Sequence, residues 1–194
     1  MSNSKRLGIV VDQERCIGCQ ACSVACKLEN NSSGYWINVE TQGSDIKDTP
    51  IGKFPDLELN FLPKLCNHCE NPPCVDSCPV DALQKRDDGI VILNQETCNL
   101  CKACLDACPY GIIVLNENEQ VAEKCNLCVH RIDQGLQPFC VICCEGQALY
   151  FGDLNDQNSN VSKLTSGKKA FVLKPEEKTN PNVYYIPPRA KKRL

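Results

Sequence analysis

The sequence predicts an α+β architecture: two small cysteine-stapled modules of short hairpins and short helices, with an irregular insertion and an irregular C-terminal extension. Three observations carry this. Cysteine makes up 17 of 194 residues, near the level at which a short chain is held together covalently or by metal. Those cysteines recur in four groups of matching form, beginning at Cys16, Cys66, Cys98 and Cys125. The apolar residues that remain are thin for an ordinary core, so the cysteine sites must supply part of the interior.

Group one is Cys16-x2-Cys19-x2-Cys22-x3-Cys26, and group three, Cys98-x2-Cys101-x2-Cys104-x3-Cys108, repeats its spacing. Group two widens one gap, as Cys66-x2-Cys69-x4-Cys74-x3-Cys78, and group four widens it further, with eleven residues between the pair Cys125, Cys128 and the pair Cys140, Cys144. The surroundings repeat too: VVDQERC before group one resembles VILNQETC before group three, an apolar strand-like run leading into the first cysteine. ALQKR-DDG-IVILN and IIVLN-ENEQ-VAEKC read as hairpins between groups two and three and between three and four. The residues of each x3 step suit a short helix after the third cysteine.

Residues 27–65 form an insertion with little pattern that carries the only tryptophan, Trp36. Residues 152–194 are rich in Asn, Lys and Pro and hold nine Lys/Arg against four Asp/Glu, net +5 in a chain whose total is -3. Both segments are expected to lie irregularly over the body or over a partner.

Several classes are excluded. The start, MSNSKRLGIVVDQERC, has no basic segment followed by a long apolar one, so no signal peptide is expected. An odd cysteine count in clusters of four suits a disulfide framework poorly. No apolar run approaches the ~20 residues of a membrane span. Neither a Gly-rich phosphate loop nor a nucleophile–base arrangement appears, so the chain is expected to be non-catalytic and to bind no nucleic acid.

The spacing selects iron–sulfur clusters over zinc. Two C-x2-C pairs suffice for a zinc site, which leaves the added x2-C-x3-C unexplained. A [4Fe-4S] cube takes three thiolates from a C-x2-C-x2-C loop and a fourth from elsewhere. In two-cluster bacterial ferredoxins, the cysteine after the x3 step ligates the other cluster, so four groups imply two exchanging pairs. Cys143 aligns with Ser77, Ala107 and Ala25, whereas Cys144 keeps the x3 step, so Cys144 is the ligand and Cys143 a small buried filler. His68 and His130 are expected near clusters or at the surface, not as ligands. Lys124 and Arg131 fit either a charge-tempering role or a solvated face. Pro79 and Pro109 follow their ligands where Lys27 and Glu145 stand in groups one and four, so the clusters are expected to differ in potential.

These motifs resemble a known family: the four-cluster, ferredoxin-like electron-transfer subunits of the dimethyl sulfoxide reductase family of molybdopterin oxidoreductases. The resemblance covers most of the chain and rests on the four groups in order, on CNHCENPPCVDSCPVDALQKRDDGIV, on CPYGIIVLNENEQVAEKCNLCVHRIDQGLQPFC and on FGDLNDQNSNVSKL. Polysulfide, arsenate and thiosulfate reductases and transhydroxylases have similar small subunits.

The resemblance implies four [4Fe-4S] clusters: one on Cys16, Cys19, Cys22 and Cys144; a second on Cys125, Cys128, Cys140 and Cys26; a third on Cys66, Cys69, Cys74 and Cys108; a fourth on Cys98, Cys101, Cys104 and Cys78. Some nitrate-reductase relatives put tryptophan at the position of Cys101 and hold a [3Fe-4S] cluster; four complete cubes are expected here. The sequence departs from the pattern at Glu145, where proline is common. The implied domains are a ferredoxin-like module of residues 1–26 and 109–151, a partner-docking insertion 27–65, a second module 66–108, and the basic tail 152–194. The implied function is to relay electrons to or from a large molybdopterin (Mo or W) catalytic subunit, in place of a free-standing polyferredoxin carrier. A membrane anchor subunit or another electron carrier is a further implied partner. The expected location is cytoplasmic by default, with export or membrane association only through a partner that bears a twin-arginine signal.

Overall fold

The computed structural model describes residues 4–167 and 169–189; the last residues of the basic tail, 190–194, and Lys168 lie outside them. Strand β1 (Leu7–Asp12) is buried along its whole length. Its LGIVVD sequence is the continuous apolar, β-branched run of a strand covered on both faces. It is the middle strand of the largest sheet, between β10 (Leu149–Asp153), which runs antiparallel, and β11 (Val183–Ile186), which runs parallel. A side chain at Gly8 would collide with the Asn182 carbonyl and with Leu154, so only glycine lets these segments approach. Alternation splits the sheet into two faces. Val10 and Ile186 pack with Val161 of helix α6 (Asn160–Gly167), whereas Ile9, Val11, Val183 and Tyr185 face the cysteine-bearing body.

In that body α1 (Ala21–Asn30) carries Cys22 and Cys26 four residues apart, so both lie buried on one helix face. The ribbon β2 (Asn38–Gln42) and β5 (Asn60–Lys64) encloses the hairpin β3 (Ile51–Lys53) and β4 (Asp56–Glu58). Then come α2 (Pro73–Asp76), the hairpin β6 (Leu83–Lys85) and β7 (Val91–Leu93), α3 (Ala103–Ala107), the hairpin β8 (Val114–Asn116) and β9 (Val121–Glu123), α4 (Val129–Ile132) and α5 (Phe139–Ile142). Both expected hairpins form. The cysteine-bearing helices α1, α2, α3 and α5 each begin one residue before the third cysteine of their group, not after it. The helices pack in pairs, α1 on α5 and α2 on α3.

The two segments expected to be irregular carry regular structure. The insertion is a double hairpin: Val39 and Phe61 are buried, and Phe54 at its tip is 88% exposed. It is fastened by Glu123, only 3% exposed, whose carboxylate accepts from Ser33 N, Ser33 Oγ, Trp36 Nε1 and Asn116 Nδ2. The C-terminal segment contributes α6 and β11 and runs along the group-two loop. There Glu70 N donates to Asn180 O, Asn71 N to Thr179 O, and Asn182 N to Asn67 O. Backbone groups buried away from water need such partners.

Glu123→Ala removes the acceptor of all four bonds. It is expected to release Trp36, 7% exposed in the fold, and to cost about 2–3 kcal/mol. A red shift of the single-tryptophan emission with a lowered melting temperature is the check; unchanged emission would show that the insertion is held by other contacts.

Candidate metal centres

The four groups share a local backbone device. The residue two places after the first cysteine is left-handed in every group: Gly18 (φ +70°), His68 (+42°), Leu100 (+54°) and Leu127 (+55°). Groups one and three add a second such step at Gln20 and Lys102, and group four adds one at Cys128. A non-glycine residue held there costs on the order of 1–3 kcal/mol and persists only where the surroundings impose it. Such turns aim successive backbone N–H groups inward, making a concavity suited to anionic groups, iron–sulfur clusters among them.

The thiols meet in fours. Cys16, Cys19, Cys22 and Cys144 line one cavity, Cys66, Cys69, Cys74 and Cys108 a second, and Cys78, Cys98, Cys101 and Cys104 a third. The three cavities are similar in size, as expected for guests of one kind. The remaining four, Cys26, Cys125, Cys128 and Cys140, are all buried. Asn30 Nδ2 lies 3.7 Å from Sγ of both Cys26 and Cys128, and Cys140 is raised first by burial and then by Cys125, Cys26 and Cys128. Each set draws three thiols from one group and one from another. Cys143 lines none of the three cavities.

The electrostatics suit a cationic guest. Burial, ahead of every other cause, pushes the thiols of Cys22, Cys69 and Cys104 up to about 11 and those of Cys26 and Cys74 up to about 12, and neighbouring cysteines of the same set add to the rise. Thiolates gathered this closely in a dry pocket require metal to offset their charge. Backbone N–H groups already point at sulfur: Ala148 N on Cys144 Sγ at 3.1 Å, Ala122 N on Cys98 Sγ at 3.4 Å and Leu127 N on Cys125 Sγ at 3.4 Å. Among the described residues no three His, Cys, Asp or Glu side chains converge on a single ion position. The residues fit [4Fe-4S] clusters.

Other side chains around these sites were less legible. Lys124, for which the sequence leaves both a charge-tempering role and a solvated face, is 3% exposed, and its ammonium donates to the carbonyls of Val91 and Cys125. His68 is 1% exposed; burial first and the Lys124 charge second hold its pKa well below the ordinary histidine value. His130 stays at the surface on Glu29, and Arg131 pairs with the same carboxylate. From the C-terminal segment, Thr179 bonds the Tyr110 hydroxyl at 2.6 Å and opposes the burial-driven rise of Cys69. Asn30 and Thr179 carry no motif that would single them out in the sequence.

Fold and site together define an iron–sulfur protein. Residues 57–154 match the 4Fe-4S dicluster domain family and residues 7–28 a 4Fe-4S binding domain. A Halobacterium salinarum protein assigned as an iron–sulfur subunit of dimethyl sulfoxide reductase is 44% identical over 92% of this chain and 78% of its own length. The arsenate respiratory reductase iron–sulfur subunit of a Shewanella species is 36% identical, covering 93% of this chain and 96% of the relative. A polysulfide reductase chain of Wolinella succinogenes is 37% identical over 95% of each. The chain therefore belongs to the iron–sulfur subunits of the dimethyl sulfoxide reductase family, which transfer electrons and leave catalysis to other subunits. No helix among the described residues is long and apolar enough to cross a membrane.

Proposed function

We propose that the chain relays electrons along a row of four [4Fe-4S] clusters between a molybdopterin-bearing catalytic subunit and a second electron site. The ligands are Cys16, Cys19, Cys22 and Cys144; Cys26, Cys125, Cys128 and Cys140; Cys66, Cys69, Cys74 and Cys108; and Cys78, Cys98, Cys101 and Cys104. The observation that carries this reading is the gathering of sixteen thiols into four sets, each of which joins two groups. When bound, each cluster supplies reversible one-electron chemistry.

The protein orders and insulates the sites. Helix α1 holds Cys22 of the first set and Cys26 of the second, α5 holds Cys140 of the second with Cys144 of the first just beyond its end, and α2 with Cys78 and α3 with Cys108 serve the third and fourth sets in the same way. Cys125 of the second set lies close enough to Cys66 of the third to feel its charge, which makes the order first, second, third, fourth. The interior sets are the more buried, whereas Cys19 and Cys101 at the two ends are exposed, as points of electron entry and exit require. Two ferredoxin-like modules, 1–26 with 109–151 and 66–108, thus share the row. The insertion 27–65 is the docking surface for the catalytic subunit: Ile46, Phe54, Leu57 and Leu59 present exposed apolar side chains along it. A membrane anchor subunit or another carrier would take the far end.

Anaerobic purification through a tag on this chain tests the reading. The expected result is co-elution with a large pterin-bearing subunit and about 16 iron atoms per chain. A chain that elutes alone with its iron complete would be a free carrier instead.

A further inference from the structure

Among the described residues, the buried side-chain nitrogens and oxygens without a partner are Asn67 Nδ2, Asn67 Oδ1 and His68 Nε2. All three belong to residues that line the cavity of Cys66, Cys69, Cys74 and Cys108. Buried polar groups are nearly always paired, so the two unpartnered nitrogens suit a guest that accepts hydrogen bonds.

The histidine has its proton placed for that task. His68 Nδ1 lies 3.0 Å from Val91 N. A backbone N–H only donates, so Nδ1 is the bare acceptor nitrogen and the ring proton sits on Nε2. The residue is fixed from two sides, by that bond and by Asn182 Nδ2, which donates to the His68 carbonyl at 2.7 Å. Among the described residues lining the cavity, the one unpartnered side-chain acceptor besides sulfur is Asn67 Oδ1, on the adjacent residue. Lys124 is itself a donor, committed to Val91 O and Cys125 O, and the Tyr110 hydroxyl is taken up with Thr179. The other side-chain acceptors left around the cavity are the sulfurs of Cys66, Cys69, Cys74 and Cys108.

We propose that His68 donates a hydrogen bond from Nε2–H to a sulfur of the third cluster, and that this bond raises the reduction potential of that cluster above what its thiolates alone would give. It rests on the ligand set proposed above. An N–H···S bond strengthens as the sulfur gains charge, so it favours the reduced state. His68 is a positioning and tuning residue here, not a ligand, since four thiols already surround the cavity.

The chain has two histidines, so labelling both rings with ¹⁵N and replacing the surface one, His130→Gln, leaves His68 as the sole reporter. Pulsed EPR of the cluster-loaded, partly reduced chain should show a histidine ¹⁵N coupling on one cluster signal, together with a proton coupling that exchanges in D2O. His68→Phe should abolish both and lower that midpoint by about tenfold in the reduction equilibrium, ~59 mV for one electron, with the other three unmoved. Absence of any histidine nitrogen coupling in the labelled protein overturns the proposal even if His68→Phe fails to load iron. Four unshifted midpoints in a fully loaded His68→Phe protein overturn it as well. If the unaltered chain holds fewer than about 16 irons, the ligand reading itself fails, and this bond with it.

Discussion

Cys125→Ala will leave the chain with three clusters and break the row in its middle. The thiol is fully buried among Cys26, Cys128 and Cys140, and it lies next to Cys66 of the neighbouring set. No neighbouring side chain replaces it: Leu127 and Lys124, close by in sequence, offer iron no ligand. Iron should fall from about 16 to about 12 atoms per chain. An electron donor docked at the Cys19 end should still reduce the first site, yet no electrons should reach an acceptor at the Cys101 end. Cys143→Ala, one residue from a proposed ligand, should keep the full iron content and normal throughput. Full iron in the Cys125 variant, or lost iron in the Cys143 variant, would break the ligand assignment.

Stripping the iron anaerobically with a chelator will unfold the body of the protein. Eight cysteines are buried, and Cys22, Cys26, Cys66, Cys69, Cys125 and Cys140 sit inside the main core cluster among its aliphatic side chains. Helices α2 and α5 are four residues long and α3 is five, far below the ~12–15 residues at which a helix begins to stand alone. On the proposed ligand set they are held by their tied cysteines. Metal–thiolate binding in small structural sites is worth about 10–16 kcal/mol, as much as the whole ~5–15 kcal/mol stability of a domain. The expected result is loss of the cooperative thermal transition and a red-shifted Trp36 emission. An iron-free chain that still melts cooperatively would show that the aliphatic residues suffice.

The site was largely legible in sequence because covalent spacing dictates it. A C-x2-C-x2-C loop followed by cysteines at i and i+4 of a helix has few ways to arrange its sulfurs, and the flanking Asp-Gly and Asn-rich turns declare the hairpins. The shared left-handed step was hidden, since His68, Leu100 and Leu127 are not residues that advertise it and only Gly18 is. The sequence does not decide between a buried and a solvated Lys124 because buried lysines are rare; two carbonyl partners take its hydrogen bonds in the fold. The insertion escaped notice as strands because its strands are short and mostly exposed. For β11 the reason is distance: its hydrogen-bonded neighbour lies more than 170 positions earlier, at Ile9 against Val183, and no local pattern records a pairing of that range.

That pairing also orders events in time. The middle strand of the main sheet is synthesised long before its parallel neighbour β11. Until residue 182 arrives, the carbonyls of Asn67 and His68 lack the amide groups that cap them, and β1 presents one open edge. A ribosome that stops before this segment therefore releases a product visibly unfinished, with a sticky strand and a loosened cluster loop. Arrival of β11 doubles as a seal on the innermost part of the row.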